Sequence, residues 1–235
     1  MKIVYNDSMV VKYDIETDKT DGQKRLCFLS DLHGQCPAGT VGQTEELSPH
    51  AVVLGGDLFD RKADNTPAFN LVCELISRFE CVFSPGNHDT TDKNRKLLGE
   101  LEKRGLCILD KGKSALISGI SFSGISAPSQ FLCAAHNLRP KVFNVLIDHV
   151  PDNAENYPTD IFDLILSGHE HGGFVKIGRL NGLIGHSGFF PAHAGGVYHY
   201  GKTEQIVSRG LCEGKIPRIG ISPELVLINI RGKKQ

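Results

Sequence analysis

No Cys-x-x-Cys pair, no surplus of either charge and no long apolar run at the start occur in this chain of 235 residues, and each absence narrows what it can be. The seven cysteines, at 27, 36, 73, 81, 107, 133 and 212, are odd in number. That count and spacing indicate reduced thiols rather than a disulfide framework or a thiolate metal site. Cys27, Cys81 and Cys107 fall inside apolar runs, where a thiol packs as a small hydrophobe. The formal net charge of -1 argues against a general nucleic-acid binder, whose footprint is clearly basic. Met1 to Asp21 alternates apolar and charged residues, so neither a signal peptide nor a membrane anchor is expected, which points to the cytoplasm. With no internal repeat, low-complexity tract or linker, one domain spanning 1–235 is expected.

What is present is a series of short apolar runs. Val10 to Ile15 reads as an edge strand, Leu26 to Leu29, Ala51 to Leu54 and Cys81 to Phe83 as buried strands, and Gly39 to Ser48 as a polar connection. Asn65 to Phe79 has the 3.6-residue spacing of a helix lying on a sheet, and Asp92 to Arg104 is a charged helix with leucines inward. Leu106 to Leu109, Ser114 to Ile117 and Ile120 to Phe122 read as short strands, and Ala127 to Asn137 as helix. Val142 to Ile147 is a strand, a short helix follows, and Ile161 to Leu166 is a strand again. Phe174 to Ile177, Gly196 to Tyr200, Glu204 to Ser208 and Pro223 to Ile230 complete the set, ahead of a frayed basic tail from Arg231 to Gln235.

Five of these strands, ending near Leu29, Leu54, Phe83, Ile147 and Leu166, run straight into Asp, His or Asn. The stretches are Ser30-Asp31-Leu32-His33-Gly34, Gly55-Gly56-Asp57, Gly86-Asn87-His88-Asp89, Asp148-His149 and Gly168-His169-Glu170-His171. A lone His-x-His is more often a solvated loop than a metal site. In layered α/β proteins, however, the site lies outside the carboxyl ends of the strands, so five such endings converge. Oxygen and imidazole donors in that number call for a compensating cation, and more of them than one zinc ion takes.

The ordered blocks resemble the calcineurin-like metallophosphoesterases: Asp-x-His, Gly-Asp, Gly-Asn-His-Asp, an isolated His and Gly-His-x-His. The ending, with Ile206 to Gly210 and Pro217-Arg218 to Ile230, resembles the bacterial single-domain phosphodiesterase branch, which includes some UDP-diacylglucosamine hydrolases. Members of that branch often carry an N-terminal membrane helix and a glutamine where this chain has Phe174. The resemblance implies a four-layer α/β (α+β) fold, two mixed sheets packed face to face and flanked by helices. It implies that Asp31, His33 and His171 hold one divalent ion, that Asn87, His149 and His169 hold another, and that Asp57 bridges them. Manganese, iron and zinc all suit such ligands. It further implies hydrolysis of a phosphodiester by a hydroxide shared between the ions, attacking phosphorus in line, with His88 as general acid oriented by Asp89.

The implied partner is a small or lipid-linked phosphoester, with peripheral membrane contact left open and nucleic acid disfavoured by the charge balance. The rival readings are a silent binding scaffold of the same fold, a nucleotide-sugar-lipid pyrophosphatase and a nuclease. Asp60 and Arg61 are expected either to pair and brace the Asp57 loop or to form a surface ion pair. His50, His136, His186, His193 and His199 match no metal spacing and read mostly as surface residues. Phe189 and Phe190, in the Gly185 to His193 loop, are expected either to border the substrate pocket or to pack in the core.

Overall fold

Alternation along the short strands places successive residues on opposite faces of a sheet, and here both faces are apolar. In β2 (Gln23–Leu29), Leu26 and Phe28 enter one core while Cys27 and Leu29 enter another. The same split holds in β3 (Ala51–Leu54), with Ala51 and Val53 on the first side and Val52 and Leu54 on the second. A sheet buried on both sides needs two cover layers, and the chain supplies them. The computed structural model describes residues 9–173, 175, 182, 184–185, 188–212 and 218–233.

Among the described residues there are two six-stranded mixed sheets. The first runs β1 (Met9–Thr17), β14 (Glu224–Gly232), β2, β3, β4 (Cys81–Phe83) and β5 (Cys107–Ile108). The second runs β12 (Gly196–Tyr200), β13 (Thr203–Val207), β9 (Leu164–Ser167), β8 (Phe143–Asp148), β7 (Ile120–Ile125) and β6 (Ser114–Ile117). Val145, Ile147, Leu164 and Leu166 of the second sheet share one core with Phe28 and Val53 of the first, so the sheets pack face to face. Outside the first sheet lie α1 (Thr40–Leu47), α2 (Thr66–Ile76) and α3 (Asp92–Lys103); outside the second lies α4 (Phe131–His136). Full burial of each large apolar side chain contributes about 1.5–3 kcal/mol, and these cores supply dozens.

Several expectations need correction. Gly39 to Ser48 is not simply a polar connection, because α1 forms there. Its inward contacts are made by Thr40 and Thr44, with Val41 and Leu47 partly buried, too few apolar residues to leave a periodic signal. The expected helix over Asn65 to Phe79 ends at Ile76, and the Leu106 to Leu109 strand shrinks to Cys107–Ile108. The short helix expected before β9 is present, as a 3-10 helix over Pro151–Asn156. Arg231, expected in a frayed tail, is in β14 and pairs with Glu16 and Gln23. The Phe174 to Ile177 strand lies outside the described residues except for Val175, which bridges Ile219.

The register positions the site. Leu29 lies beside Leu54 and Leu54 beside Phe83 in parallel pairing, so three strands end in one row. Ile147 lies beside Leu166 in the second sheet, giving a second row.

Candidate metal centre

Past each row the loops continue to hold one another. The Asp31 N–H donates to the Gly56 carbonyl at 3.0 Å, His33 N–H to the Asp57 carbonyl at 2.9 Å, and Gly168 N–H to the His149 carbonyl at 3.0 Å. Two contacts join the sheets: His149 Nδ1 lies 2.8 Å from the Gly55 carbonyl, and the His169 N–H reaches both Asp31 carboxylate oxygens at 3.2 Å. Asp31, His33, Asp57, His169 and His171 all have positive φ, between 46° and 74°. Left-handed backbone is costly for residues with a Cβ, and it persists where the surroundings impose it, typically at functional sites. Glycine is required close by: a Cβ on Gly168 would strike the Asp31 carboxylate, and one on Gly86 the Asp57 carboxylate.

The structure brings all seven expected ligands together. Asp31, His33 and His171 form one group of donors within 4.8 Å of one another, and Asp57, His149 and His169 another. The Nε2 atoms of His33 and His171 face each other at 3.0 Å, with Asp31 Oδ1 3.5 Å from His171. Asn87 Oδ1 lies 3.1 Å from His169 Nδ1. Asp57 Oδ2 stands between the groups, 3.2 Å from His149 Nε2 and 3.9 Å from His33 Nε2. The His149 Nε2 is buried without a hydrogen-bond partner.

The charges strain against their burial. Burial opposes ionisation of Asp31, yet His171 and His149 hold its pKa below the usual carboxylate value. Asp57 is likewise lowered, its burial outweighed by His149 and His33. Burial alone would lower His149, but Asp57 and Asp31 override it and carry the ring to about 10. This cluster attracts positive charge at its centre, and facing imidazoles beside two anionic carboxylates match the donors a divalent ion takes. The residues therefore fit a metal.

His88 is close enough to form a third group with His33 and Asp57, its donor atoms also within 4.8 Å. Its N–H donates to Asp57 Oδ1 at 2.8 Å, and its ring Nδ1 lies 3.5 Å from Asp60 Oδ2. The expectation that Asp89 orients this ring is corrected. The Asp89 carboxylate is buried and accepts the N–H groups of Asp57 at 2.7 Å, Gly86 at 2.9 Å and Phe59 at 3.0 Å, clamping two ligand loops together. Burial and the Asp57 charge raise its pKa to about 7, against the pull of those N–H groups. Asp60 takes the place by the ring. Its Oδ1 is fixed by the N–H groups of Lys62 and Ala63, and Oδ2 faces His88 and, at 3.9 Å, His33. Arg61 donates instead to the Asn87 carbonyl at 3.0 Å.

Sequence reasoning missed two further residues. Asn94, buried in the first turn of α3, donates to the carbonyls of His88 at 2.9 Å and Asp60 at 3.2 Å. Arg218, buried and surrounded by the carbonyls of Arg209, Gly210 and Cys212, places Nη2 2.9 Å from His171 Nδ1. A metal-ligating imidazole usually offers its second N–H to an acceptor, so ligation by Nε2 of His171 requires this guanidinium to shift. Neither residue sits at a strand end, the only signal that periodicity supplies. His193, expected at the surface, is buried, with Asp152 Oδ1 2.8 Å from Nδ1 and Tyr200 Oη 2.8 Å from Nε2. His50, His136 and His199 are exposed, and His186 lies outside the described residues.

Two face-packed mixed sheets with carboxylates and imidazoles gathered at their strand ends define an α/β protein with a candidate metal centre. The model of the calcineurin-like phosphoesterase family matches residues 24–173, and this chain belongs to that family of metal-dependent phosphoester hydrolases. It is 25% identical to the uncharacterized protein YpbG of Bacillus subtilis over 225 residues, 88% of this chain and 81% of that protein. It is 26% identical to the uncharacterized metallophosphoesterase Cj0846 of Campylobacter jejuni over 247 residues, 96% of this chain but only 64% of that longer protein. Phosphodiesterase YaeI of Escherichia coli is 27% identical over 236 residues, 88% of this chain and 82% of that one. Among the described residues no helix is long and apolar enough to cross a membrane.

Proposed function

We propose that residues 1–235 form one domain that hydrolyses phosphodiesters with two divalent metal ions. Asp31, His33 and His171 would hold one ion, Asn87, His149 and His169 the other, with Asp57 shared. Mixed carboxylate, amide and imidazole donors suit manganese, iron or zinc. When bound, such ions acidify water to a nucleophile at neutral pH and neutralise phosphoryl oxygens. The observation that carries this reading is the convergence of six of the seven donors in groups within 4.8 Å, with Asn87 Oδ1 3.1 Å from His169 Nδ1.

The chain's own residues supply the rest. Water adds its oxygen to phosphorus in line with the ester bond that breaks, and the departing oxygen needs a proton. His88 delivers it, held at its backbone by Asp57 and Asn94, with Asp60 Oδ2 facing its Nδ1 at 3.5 Å. Asp89 keeps the Asp57 and Gly86 loops at the spacing the ligands need. The products are a phosphomonoester and an alcohol. Diesters rank ahead of monoesters through the likeness to YaeI, a relative named as a phosphodiesterase. All seven cysteines are free, which fits a reducing compartment and the cytoplasm.

Metal analysis of the purified protein, with a screen of soluble diesters, monoesters and lipid-linked phosphoesters, tests this. Two ions per chain and diester turnover are expected, both reduced in Asp57→Asn. Turnover that survives in Asp57→Asn at full rate would overturn the assignment.

A further inference from the structure

Beside the ligand loop stands a small hairpin, β10 (Ile184–Gly185) and β11 (Gly188–Phe189), in which Ile184 lies opposite Phe189. Directly opposed residues of an antiparallel pair project from the same face, so these two side chains are neighbours. Phe190 follows at once. Their exposures are 40%, 80% and 63%, so the expectation that the rings pack in the core fails. Leaving each ring in water forgoes burial worth about 10-fold or more in an equilibrium constant.

The foot of the hairpin runs against the loop that carries His169 and His171. A Cβ on Gly185 would strike the carboxylate of Glu170, the residue between His169 and His171. A Cβ on Gly173 would come 3.3 Å from the Ile184 carbonyl. On the far side the chain descends through Pro191 to buried His193, held by Asp152 and Tyr200. Phe190 has a φ of 54°, a conformation that bulky residues rarely adopt and that persists where surrounding contacts impose it.

We propose that Ile184, Phe189 and Phe190 form an apolar rest for the ester group of the substrate, so that the enzyme selects phosphodiesters carrying one large apolar group. This rests on the phosphodiesterase reading and names its substrate class. Three side chains cover far less than the roughly 800 Å² per partner of a stable protein interface. They match instead a small-molecule site, apolar walls beside a few polar groups, with the metal ligands providing the polar part. The apolar group can come from a soluble ester or from a lipid, and the chemistry recognised is the same.

The test uses metal-loaded protein and three diesters: methyl 1-naphthyl phosphate, dimethyl phosphate, and phosphatidylglycerol in phosphatidylcholine vesicles. The Phe189→Ser/Phe190→Ser double variant is compared with Phe189→Leu/Phe190→Leu and the parent. Affinity is read as KM where a diester turns over and as calorimetric Kd where it does not, so absent hydrolysis counts against the phosphodiesterase reading alone. The serine pair is expected to weaken affinity about 10-fold or more for the naphthyl or lipid diester. Its kcat and its affinity for dimethyl phosphate stay unchanged, and the leucine pair recovers most of the loss. An effect confined to the naphthyl ester assigns a soluble substrate, and one confined to vesicles a lipid. Unchanged affinity for both apolar diesters, or an equal loss for dimethyl phosphate, overturns the proposal.

Discussion

Asp57 combines a buried carboxylate with left-handed backbone, and the two features oppose each other. A Cβ in that conformation costs roughly 1–2 kcal/mol, which glycine avoids. In chelated protein, Asp57→Gly is therefore expected to be more stable than Asp57→Ala by about 1 kcal/mol in urea unfolding. Equal stabilities would show that the loop relaxes. At His88, the expected loss for His88→Ala is about 10²- to 10⁴-fold in kcat, largest for poor leaving groups, with metal content intact. Asp60→Asn should produce a smaller loss and alter the pH–rate profile, whereas Asp60→Asn kinetics identical to the parent would remove Asp60 from the acid's support. The residue identities of all seven proposed ligands were legible as a list, because Asp, Asn and His interrupt apolar runs. Which acid faces His88 was not. Asp89 is its chain neighbour, but the turn from Gly86 directs that carboxylate into three backbone N–H groups, and Asp60 arrives from another strand end.

Among the elements, β2, β3 and β4 matter for where they stop. Their parallel register aligns Leu29, Leu54 and Phe83, and the glycines just beyond permit the loops to touch. Gly168→Ala pushes a methyl group into the Asp31 carboxylate, so it is expected to lower metal stoichiometry while far-UV circular dichroism stays native. Full metal content in Gly168→Ala would mean that Asp31 yields without consequence. Strands and strongly amphipathic helices were readable from periodicity: α2 buries Ala68, Leu71, Val72 and Leu75 on one face. The helix α1 was not, because it docks through threonines, Thr44 donating to the Thr40 carbonyl and approaching Cys27. The β10–β11 hairpin left no signal either, being two residues per strand with its apolar side chains facing water.

At the scale of the whole molecule, the candidate centre lies where two sheets meet that also share an apolar core and side-chain bonds such as Ser84 Oγ to the Ile125 carbonyl. Ions held from both sides, as proposed, would stabilise the folded state alone, by about 2.7 kcal/mol at a free concentration of about 100 Kd. Chelation with EDTA is thus expected to lower Tm by roughly 5–10 °C, restored by adding back a divalent ion. A Tm indifferent to chelator would show that the sheets hold together without the ions.

The amino-acid order by itself determined the two-sided strands, since alternate apolar residues leave no other way to hide both faces, and it determined the donors, since their type is written at each strand end. Only the tertiary structure decided which donors meet, which acid serves His88 and where the two phenylalanines point. Those depend on register, on left-handed turns and on contacts between residues more than a hundred positions apart, such as Asp31 with His169, which local pattern does not encode.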